Sequence, residues 1–202
     1  LQHGMYGELT AKQKDKSYAI VKSAQDLTNF VNELLDEAQL ESGTIKLNHT
    51  VFDLQQLLED IDQQMSILAD EKGLSFACHY SGQLPHKIIG DPVRLMQILL
   101  NLIGNGIKFT EKGFVAFQAT RHNSSNLAFV VKDSGLGIPK EMQEIIFEPF
   151  HQIDNNLTAQ KGAGLGLSIV NRIVILMNGT LSVDSTPGQG SSFTAVLPFV
   201  EP

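Results

Sequence analysis

Two asparagines and a lysine stand at helical spacing near the end of an apolar segment. In DPVRLMQILLNLIGNGIKFT, residues 91–110, Asn101, Asn105 and Lys108 are separated by four and three positions, so on a helix they share one stripe while the leucines face the core. Amide oxygens can bind a hard cation such as Mg²⁺, and an ammonium group can hold phosphate oxygens. The stripe predicts half of a metal and phosphate site, with a solvated polar helix face as the alternative.

An aspartate and two glycines directly follow an apolar segment that is typical of a strand. Asp133 ends NLAFVVKD, and Gly135 and Gly137 follow it in DSGLGIP, which predicts a tight turn. An ionised carboxylate only accepts hydrogen bonds, so Asp133 could accept from the exocyclic amine of adenine and would repel the carbonyl of guanine. The alternative is a turn that happens to contain an aspartate.

A glycine-rich loop runs into a predicted helix at KGAGLGLSIV, residues 161–170. Such a loop presents free backbone N–H groups and the positive end of a helix to anions, and phosphate is the natural ligand. The spacing of Gly162, Gly164 and Gly166 does not match a dinucleotide fingerprint, and the preceding HQIDNNLTAQ is polar rather than strand-like. A Rossmann site is therefore excluded.

In this order, these segments resemble the catalytic core of sensor histidine kinases. NLIGNGIKFT resembles the N box of that family, DSGLGI its G1 box, IFEPFHQ its F box, GAGLGL its G2 box and PGQGSSF its last glycine box. Upstream, LTNFVNELLDEAQLESGTIKL is similar to the second helix of the dimerisation and phosphotransfer hairpin with its connector. The resemblance covers nearly the whole chain.

The resemblance implies a role for each matching residue. Asn105 is expected to ligate Mg²⁺ with the assistance of Asn101, and Asp133 is expected to read adenine. The resemblance assigns no catalytic residue, and the candidates that would assist at the phosphates or the metal are Asn101, Lys108 and Lys161. Residues 151–162 would form the mobile ATP lid. The expected ATP site comprises Asn101, Asn105, Lys108, Phe109, Asp133, Gly135, Gly137, Ile138, Phe147, Phe150, Lys161, Gly162, Gly164, Leu165, Gly166, Leu167 and Ser191.

The resemblance also implies a fold and an activity. The fold is the two-layer α/β sandwich shared with gyrase, mismatch-repair and heat-shock chaperone ATPases. The activity is transfer of the ATP γ-phosphate to a histidine on the hairpin, for relay to an aspartate of a response-regulator receiver domain, within a homodimer formed by the hairpin. Two alternatives are a relative that hydrolyses ATP and a degenerate kinase domain that serves as an ATP-gated dimerisation or interaction module. Asn101 favours transfer, because those hydrolases carry a water-activating glutamate at this position and an amide is no base near neutral pH.

Hydrophobic periodicity predicts the elements that must position these residues. From about Glu8 to Glu41, apolar residues at spacings of three and four predict one long helix with a narrow seam, which is typical of a coiled coil or bundle. The seam residues are Ile20, Ala24, Leu27, Val31, Leu34 and Ala38. With Gly43 as the residue that ends the helix, residues 1–43 are expected to be the end of the first hairpin helix, the loop and the second helix, and residues 44–202 the catalytic domain.

The remainder of the chain alternates between strand and helix patterns, which predicts the α+β class. TIKLNHTVF, LSFACHY, GFVAFQATRH, NLAFVVKD, TLSVDS and SSFTAVLP are typical of strands. DLQQLLEDIDQQMSILADEKG and LGLSIVNRIVILMNG are typical of helices, and a third helix begins at Asp91 and Pro92 and carries the asparagine stripe.

Composition narrows the classes of function. The net charge of −7 over 202 residues gives no broad basic surface for nucleic acid. A single cysteine, Cys78, excludes an intrachain disulfide and is interpreted as a small core residue. No apolar run is long enough to span a membrane. The sequence therefore predicts a cytoplasmic fragment, and this prediction leaves open a membrane anchor elsewhere in a longer parent protein.

Two features depart from the histidine-kinase pattern. None of His3, His49, His79, His86, His122 and His151 is followed by the acidic and Thr-Pro or Asn-Pro residues that mark the phosphoacceptor, so that histidine is expected upstream of Leu1. Lys161 is the only Lys or Arg between Lys140 and Arg172. Since phosphoryl transfer depends on positive charge over the phosphates, either Lys161 supplies it or turnover is slow.

Overall fold

The computed structural model describes residues 9–43, 45–80, 84–151 and 164–202.

Thr10 precedes the first helix and forms a reciprocal pair of hydrogen bonds with its first turn. Helix α1 spans Ala11–Glu41, and Thr10 and Gln13 exchange side-chain and backbone hydrogen bonds at its start, a capping box. Gly43 follows its end at a φ of 64°, so the helix ends where the sequence predicts. The seam residue Ile20 is 69% exposed and Leu27 is 63% exposed within this chain.

Three helices form one layer of the remaining structure. Helix α2 spans Leu54–Glu71, helix α3 spans Pro92–Phe109 and helix α4 spans Gly166–Leu176. The Asp53 carboxylate accepts from the backbone N–H of Gln56, and the Asp91 carboxylate accepts from that of Arg94. These two caps, with Pro92 in the first turn, fix the start of α2 and α3 as the sequence predicts.

A five-stranded sheet forms the second layer. Its strands are β2 (Ser75–Tyr80), β4 (Phe114–Arg121), β5 (Asn126–Asp133), β6 (Thr180–Thr186) and β7 (Gly190–Pro198). They lie in the order β2-β4-β5-β7-β6, and every pair is antiparallel except β2 with β4. The apolar faces of α2, α3 and α4 pack on one face of this sheet around Phe117 and Phe129. The predicted α+β class and two-layer sandwich are confirmed.

A separate two-stranded ribbon differs from the strand predictions. Strand β1 covers only Thr50–Asp53, and it pairs with β3, Lys87–Gly90, which the sequence patterns did not predict. Residues 45–49 are not a strand, and there the backbone N–H of Asn48 donates to the Asp91 carboxylate at 2.9 Å. The Asp91 side chain, which caps α3, therefore accepts from the Asn48 N–H, a donor that a strand would use to pair with its neighbour. Among the described residues, no helix has the length and apolar character needed to cross a membrane.

Candidate functional site

Helix α3 presents both asparagines away from the core. Its residues Leu99, Leu102 and Ile103 are almost fully buried, whereas Asn101 and Asn105 are partly exposed. The Asn105 Nδ2 donates to the Asn101 Oδ1 at 2.9 Å. Because this bond fixes the orientation of the Asn105 amide, its oxygen is left on the opposite side as an acceptor. The arrangement fits Asn105 as a cation ligand and Asn101 as the residue that orients it.

The start of α4 lies directly against this pair. A Cβ atom on Gly166 would lie 2.7 Å from the Asn101 Nδ2 and 2.9 Å from its Oδ1. A side chain at position 166 would displace the Asn101 amide, so glycine allows the start of α4 to lie directly against that amide. The N-terminus of α4 is thereby held at the asparagine stripe, as a phosphate-binding helix start would need.

Asp133 lies at the end of β5, on the sheet beneath the asparagine stripe. Its side chain is 5% exposed, and its Oδ1 accepts from the backbone N–H groups of Gly135 at 2.8 Å and Ser191 at 3.3 Å. Burial raises the pKa of the Asp133 carboxyl above its usual value, although these two hydrogen bonds act in the opposite direction. The second oxygen, Oδ2, takes no part in these two bonds and is the oxygen that can accept from a ligand.

Gly106 brings the stripe and Asp133 together. In the sequence, glycines at 104 and 106 beside the asparagine stripe favour close approach of a nucleotide or the lid to α3. In the structure, a Cβ on Gly106 would lie 3.2 Å from Val115 and 3.5 Å from the Cβ of Asp133, so this glycine accommodates the sheet. A Cβ on Gly104 would meet no atom within 4 Å, and the structure gives no packing reason for that glycine.

The end of α3 is held by a lysine that the sequence patterns did not identify. The Nζ of Lys72 donates to the backbone carbonyls of Ile107 at 2.7 Å and Lys108 at 2.6 Å. Burial lowers the pKa of Lys72, and the carboxylate of Glu111 acts in the opposite direction. The Nζ of Lys108 lies 5.0 Å from the ring centroid of Phe109. Lys72 thus fixes the backbone from which Lys108 and Phe109 project.

A buried hydroxyl also lies beside Asp133. Thr110 is fully buried, and its Oγ1 has no hydrogen-bond partner among the described residues. Both this oxygen and the Oδ1 of Asp133 would lie 2.9 Å from a Cβ on Gly135. The Thr110 hydroxyl is therefore a polar group next to the carboxylate that is predicted to read adenine.

Serines of β6 and β7 hold the turn that follows Asp133. The Oγ of Ser185 accepts from the backbone N–H of Ile138 at 2.8 Å and lies 3.0 Å from the Oγ of Ser191. The Nε2 of Gln143 donates to the carbonyls of Ile138 and Ser185. The predicted site residues Ile138 and Ser191 are therefore connected through Ser185, and Gly135 is connected to Ser191 through Asp133. Gly137 lies against the backbone of Thr186, where a Cβ would overlap the carbonyl.

The F-box and lid predictions lie partly outside the described residues. Lys161 and Gly162 fall in the range 152–163, which the structure does not describe. On its two sides, the backbone N–H of Phe150 donates to the carbonyl of Gly164 at 3.0 Å, and Phe150 is 65% exposed with a φ of 63°. Phe147, Leu165 and Leu167 pack against the hydrophobic core, so each has a structural role whatever its contact with a ligand.

The donor set suits a cation that is shared with a phosphate ligand. Across the described part of the chain, no group of three or more His, Cys, Asp and Glu side chains is placed to hold a metal ion. Mg²⁺ commonly binds through only one or two protein oxygens together with substrate phosphates and water. The Asn105 oxygen beside the start of α4 fits that kind of site, and a protein-only metal cage does not.

Comparisons with known proteins agree with this geometry. The profile of the family "Histidine kinase-, DNA gyrase B-, and HSP90-like ATPase" matches residues 90–201. The chain is 38% identical to the sensor histidine kinase GacS of Pseudomonas protegens, over 92% of this chain and 21% of that protein. It is 36% identical to the histidine-protein kinase BarA of Escherichia coli, again over 92% and 21%.

Solved structures of histidine kinases also resemble this chain. The crystal structure of full-length ShkA in complex with AMPPNP superimposes with a TM-score of 0.84 at 37% identity, covering 98% of this chain and 41% of that one. The histidine kinase AdeS of Acinetobacter baumannii has the same fold, with a TM-score of 0.74 at 21% identity over 95% of this chain and 86% of that one. The chain spans about a fifth of the length of the curated relatives it matches. It belongs to the family of histidine kinase-, DNA gyrase B- and HSP90-like ATPases.

Proposed function

We propose that the chain is the ATP-binding catalytic part of a sensor histidine kinase and transfers the γ-phosphate of Mg-ATP to a histidine on a helical hairpin. The similarity to GacS, BarA and ShkA supports this assignment. Residues 1–43 would belong to the hairpin, and residues 44–202 would form the catalytic domain.

The observation that carries the proposal is the amide pair on α3. In this pair the Asn101 Oδ1 is already bonded to the Asn105 Nδ2. A hydrolase needs a base that takes a proton from water, and an amide cannot do so near neutral pH. The pair can orient a metal ligand but cannot activate water, which favours transfer to a protein acceptor over hydrolysis.

The other residues would bind and orient the nucleotide. Bound Mg²⁺ would neutralise charge on the phosphate oxygens. The Asn105 oxygen would hold the cation, Lys108 would contact phosphate, and the start of α4 would face the phosphates with its free N–H groups. The Oδ2 of Asp133 would accept from the adenine amine. Lys161 and the rest of residues 151–162 would cover the phosphates.

A transfer experiment tests the proposal. With γ-labelled Mg-ATP, we expect acid-labile label on a separately supplied hairpin that contains the phosphoacceptor histidine, and none on this chain alone. Asn105→Ala should abolish the label on the hairpin. Release of inorganic phosphate without any label on the hairpin would instead indicate an ATPase, and binding without either product would indicate a degenerate, ATP-gated module.

We also propose that the seam of α1 packs against a second copy of the chain in a four-helix dimer, and that a response-regulator receiver domain receives the phosphoryl group. Leu27 and the neighbouring seam residues form a row of exposed apolar side chains, which is unusual on an isolated helix in water. A crystal structure of the histidine kinase ThkA in complex with the response regulator TrrA shares this fold.

Light scattering on a chain that contains both helices of the hairpin tests the dimer. We expect a dimer at micromolar concentration and a shift to monomer in Leu27→Asp. Ile67 on α2 is also 63% exposed but lies off the seam, so Ile67→Asp is the matched control and should remain dimeric. A monomer at that concentration without any substitution, or equal effects of the two substitutions, would contradict the proposed interface.

A further inference from the structure

The last turns of α1 make polar contacts with the two helices of the nucleotide site. Glu37 is only 7% exposed, although it lies on a helix whose seam faces solvent. Its Oε1 lies 3.0 Å from the guanidinium of Arg172 on α4, and its Oε2 accepts from the Oγ of Ser168 at 3.4 Å. The nearly buried Glu37 carboxylate therefore contacts the first turns of α4.

Asp36, the neighbouring residue, contacts α3 in the same way. Its carboxylate lies 3.4 Å from the guanidinium of Arg94 and accepts from the Nε2 of Gln97 at 2.7 Å. Arg94 and Gln97 precede Asn101 by seven and four residues, so all three lie on one face of α3. The stripe that presents the asparagines is thus continuous with the stripe on which α1 docks.

A short chain of contacts leads from Glu37 to the asparagine pair. The Oγ of Ser168 lies 3.4 Å from the Glu37 Oε2 and 2.8 Å from the carbonyl of Leu165, immediately before α4 begins, so its one proton is shared between these two acceptors. The next residue, Gly166, lies against the Asn101 amide, and that amide orients Asn105. A displacement of Glu37 would therefore alter the start of α4 and, through it, the orientation of the Asn105 oxygen.

Because Glu37 is nearly buried, its ion pair with Arg172 is screened less than an exposed pair would be. An exposed ion pair contributes little because water and salt screen it. Glu37 is nearly buried, whereas the Arg172 side chain is 33% exposed, so water screens the pair mainly from the arginine side. In the docked helix, removal of the Arg172 charge would leave the Glu37 carboxylate nearly buried without its counter-ion. The docking of α1 and the position of the start of α4 are consequently coupled.

We propose that Glu37 is a positioning residue for the nucleotide site, so that docking of the hairpin helix on α4 sets the affinity of the site for nucleotide. The inference rests on the proposed ATP-binding function. A coupling between two sites is reciprocal, so bound nucleotide would also strengthen the docking of α1.

Calorimetric titration of the full chain with AMPPNP and Mg²⁺ tests the proposal. We expect Glu37→Gln to weaken binding about fivefold and Glu37→Arg about tenfold or more, within the range of measured couplings between sites. Arg172→Glu should behave like Glu37→Arg. The double variant Glu37→Arg with Arg172→Glu restores the pair with its charges exchanged and should recover most of the affinity.

An exposed ion pair supplies the matched control. Arg121 and Glu201 also lie 3.0 Å apart, but they are well exposed and distant in sequence from the site. Glu201→Arg should leave the affinity for AMPPNP unchanged. Thermal melts of every variant distinguish a loss of folding from a loss of positioning.

Three outcomes separate the possibilities. A wild-type chain that binds no nucleotide contradicts the proposed function itself. Unchanged affinity in folded Glu37→Gln and Glu37→Arg, with normal binding by the wild type, overturns the positioning role alone. A charge exchange that restores the melting temperature but not the affinity also overturns it, because Glu37 would then have only a structural role.

Discussion

Asp133→Asn is expected to weaken ATP binding by about 10- to 100-fold and to shift the preference of the site toward 6-oxopurine nucleotides. The Oδ1 of Asp133 accepts from two backbone N–H groups, those of Gly135 and Ser191. An asparagine must keep its oxygen at that position, which places its amino group where Oδ2 now lies. That group would oppose the adenine amine, and an unmade buried hydrogen bond costs about 1–3 kcal/mol, where about 1.4 kcal/mol is tenfold.

Titrations with ATP and ITP measure the change. Hypoxanthine presents a carbonyl where adenine presents its amine, so the Asp133→Asn variant should bind ITP more tightly than the wild type does. Asp133→Ala should lose ATP without gaining ITP, which separates a switched donor from a damaged pocket. Asp184→Asn, at an exposed position of β6, should bind ATP normally. Retention of the adenine preference by Asp133→Asn would exclude this carboxylate as the adenine reader.

The same substitution should not destabilise the nucleotide-free chain at neutral pH. Burial raises the pKa of Asp133 above its unfolded value, so the folded state disfavours the ionised form. The stability linked to this group is present below the unfolded pKa and is lost as the pH rises through the folded pKa. Urea unfolding should therefore show Asp133→Asn at least as stable as the wild type at neutral pH, with the difference vanishing in acid. The carboxylate is retained at a cost to stability, as expected of a binding residue.

The parts of the site that could be predicted from the sequence depend on local geometry. Asn101 and Asn105 share a stripe because any α-helix places positions four apart on one face. Asp91 and Pro92 mark the start of that helix, and the strand pattern before Asp133 places its carboxylate at the end of a strand. These predictions needed only the helix and strand periods and the chemistry of single residues.

The remaining features depend on contacts between distant parts of the chain. Lys72 caps α3 from a position 35 residues away from Ile107, and Glu37 reaches Ser168 across 131 residues. Gly106 shows the limit most directly, because a glycine near a predicted site gives no sign of whether a ligand or a strand approaches it. The pairing of β1 with β3 has the same origin, since four-residue strands carry too little pattern to distinguish them from loops.

Asn105→Ala is expected to remove the Mg²⁺-dependent part of ATP affinity, a loss of about 100-fold. The bond to Asn101 uses the amide nitrogen of Asn105 and leaves the Asn105 oxygen available to a cation. Without that oxygen the cation would be held mainly by phosphate and water. Asn101→Ala keeps that oxygen but removes the partner that orients it. Its expected loss is about tenfold, at the lower end of what orienting residues contribute to metal affinity.

Titrations of ATP with Mg²⁺ and with EDTA separate the two effects. In Asn105→Ala the two affinities should coincide, whereas in Asn101→Ala a reduced advantage of Mg²⁺ should remain. Asn32→Ala, at an exposed position of α1, should bind like the wild type in both solutions. If Asn105→Ala retained the full advantage of Mg²⁺ while Asn101→Ala lost it, the two amides would have exchanged roles. The hydrogen bond that fixes Asn105 would then have to be reversed in the bound state, with Asn101 donating to Asn105.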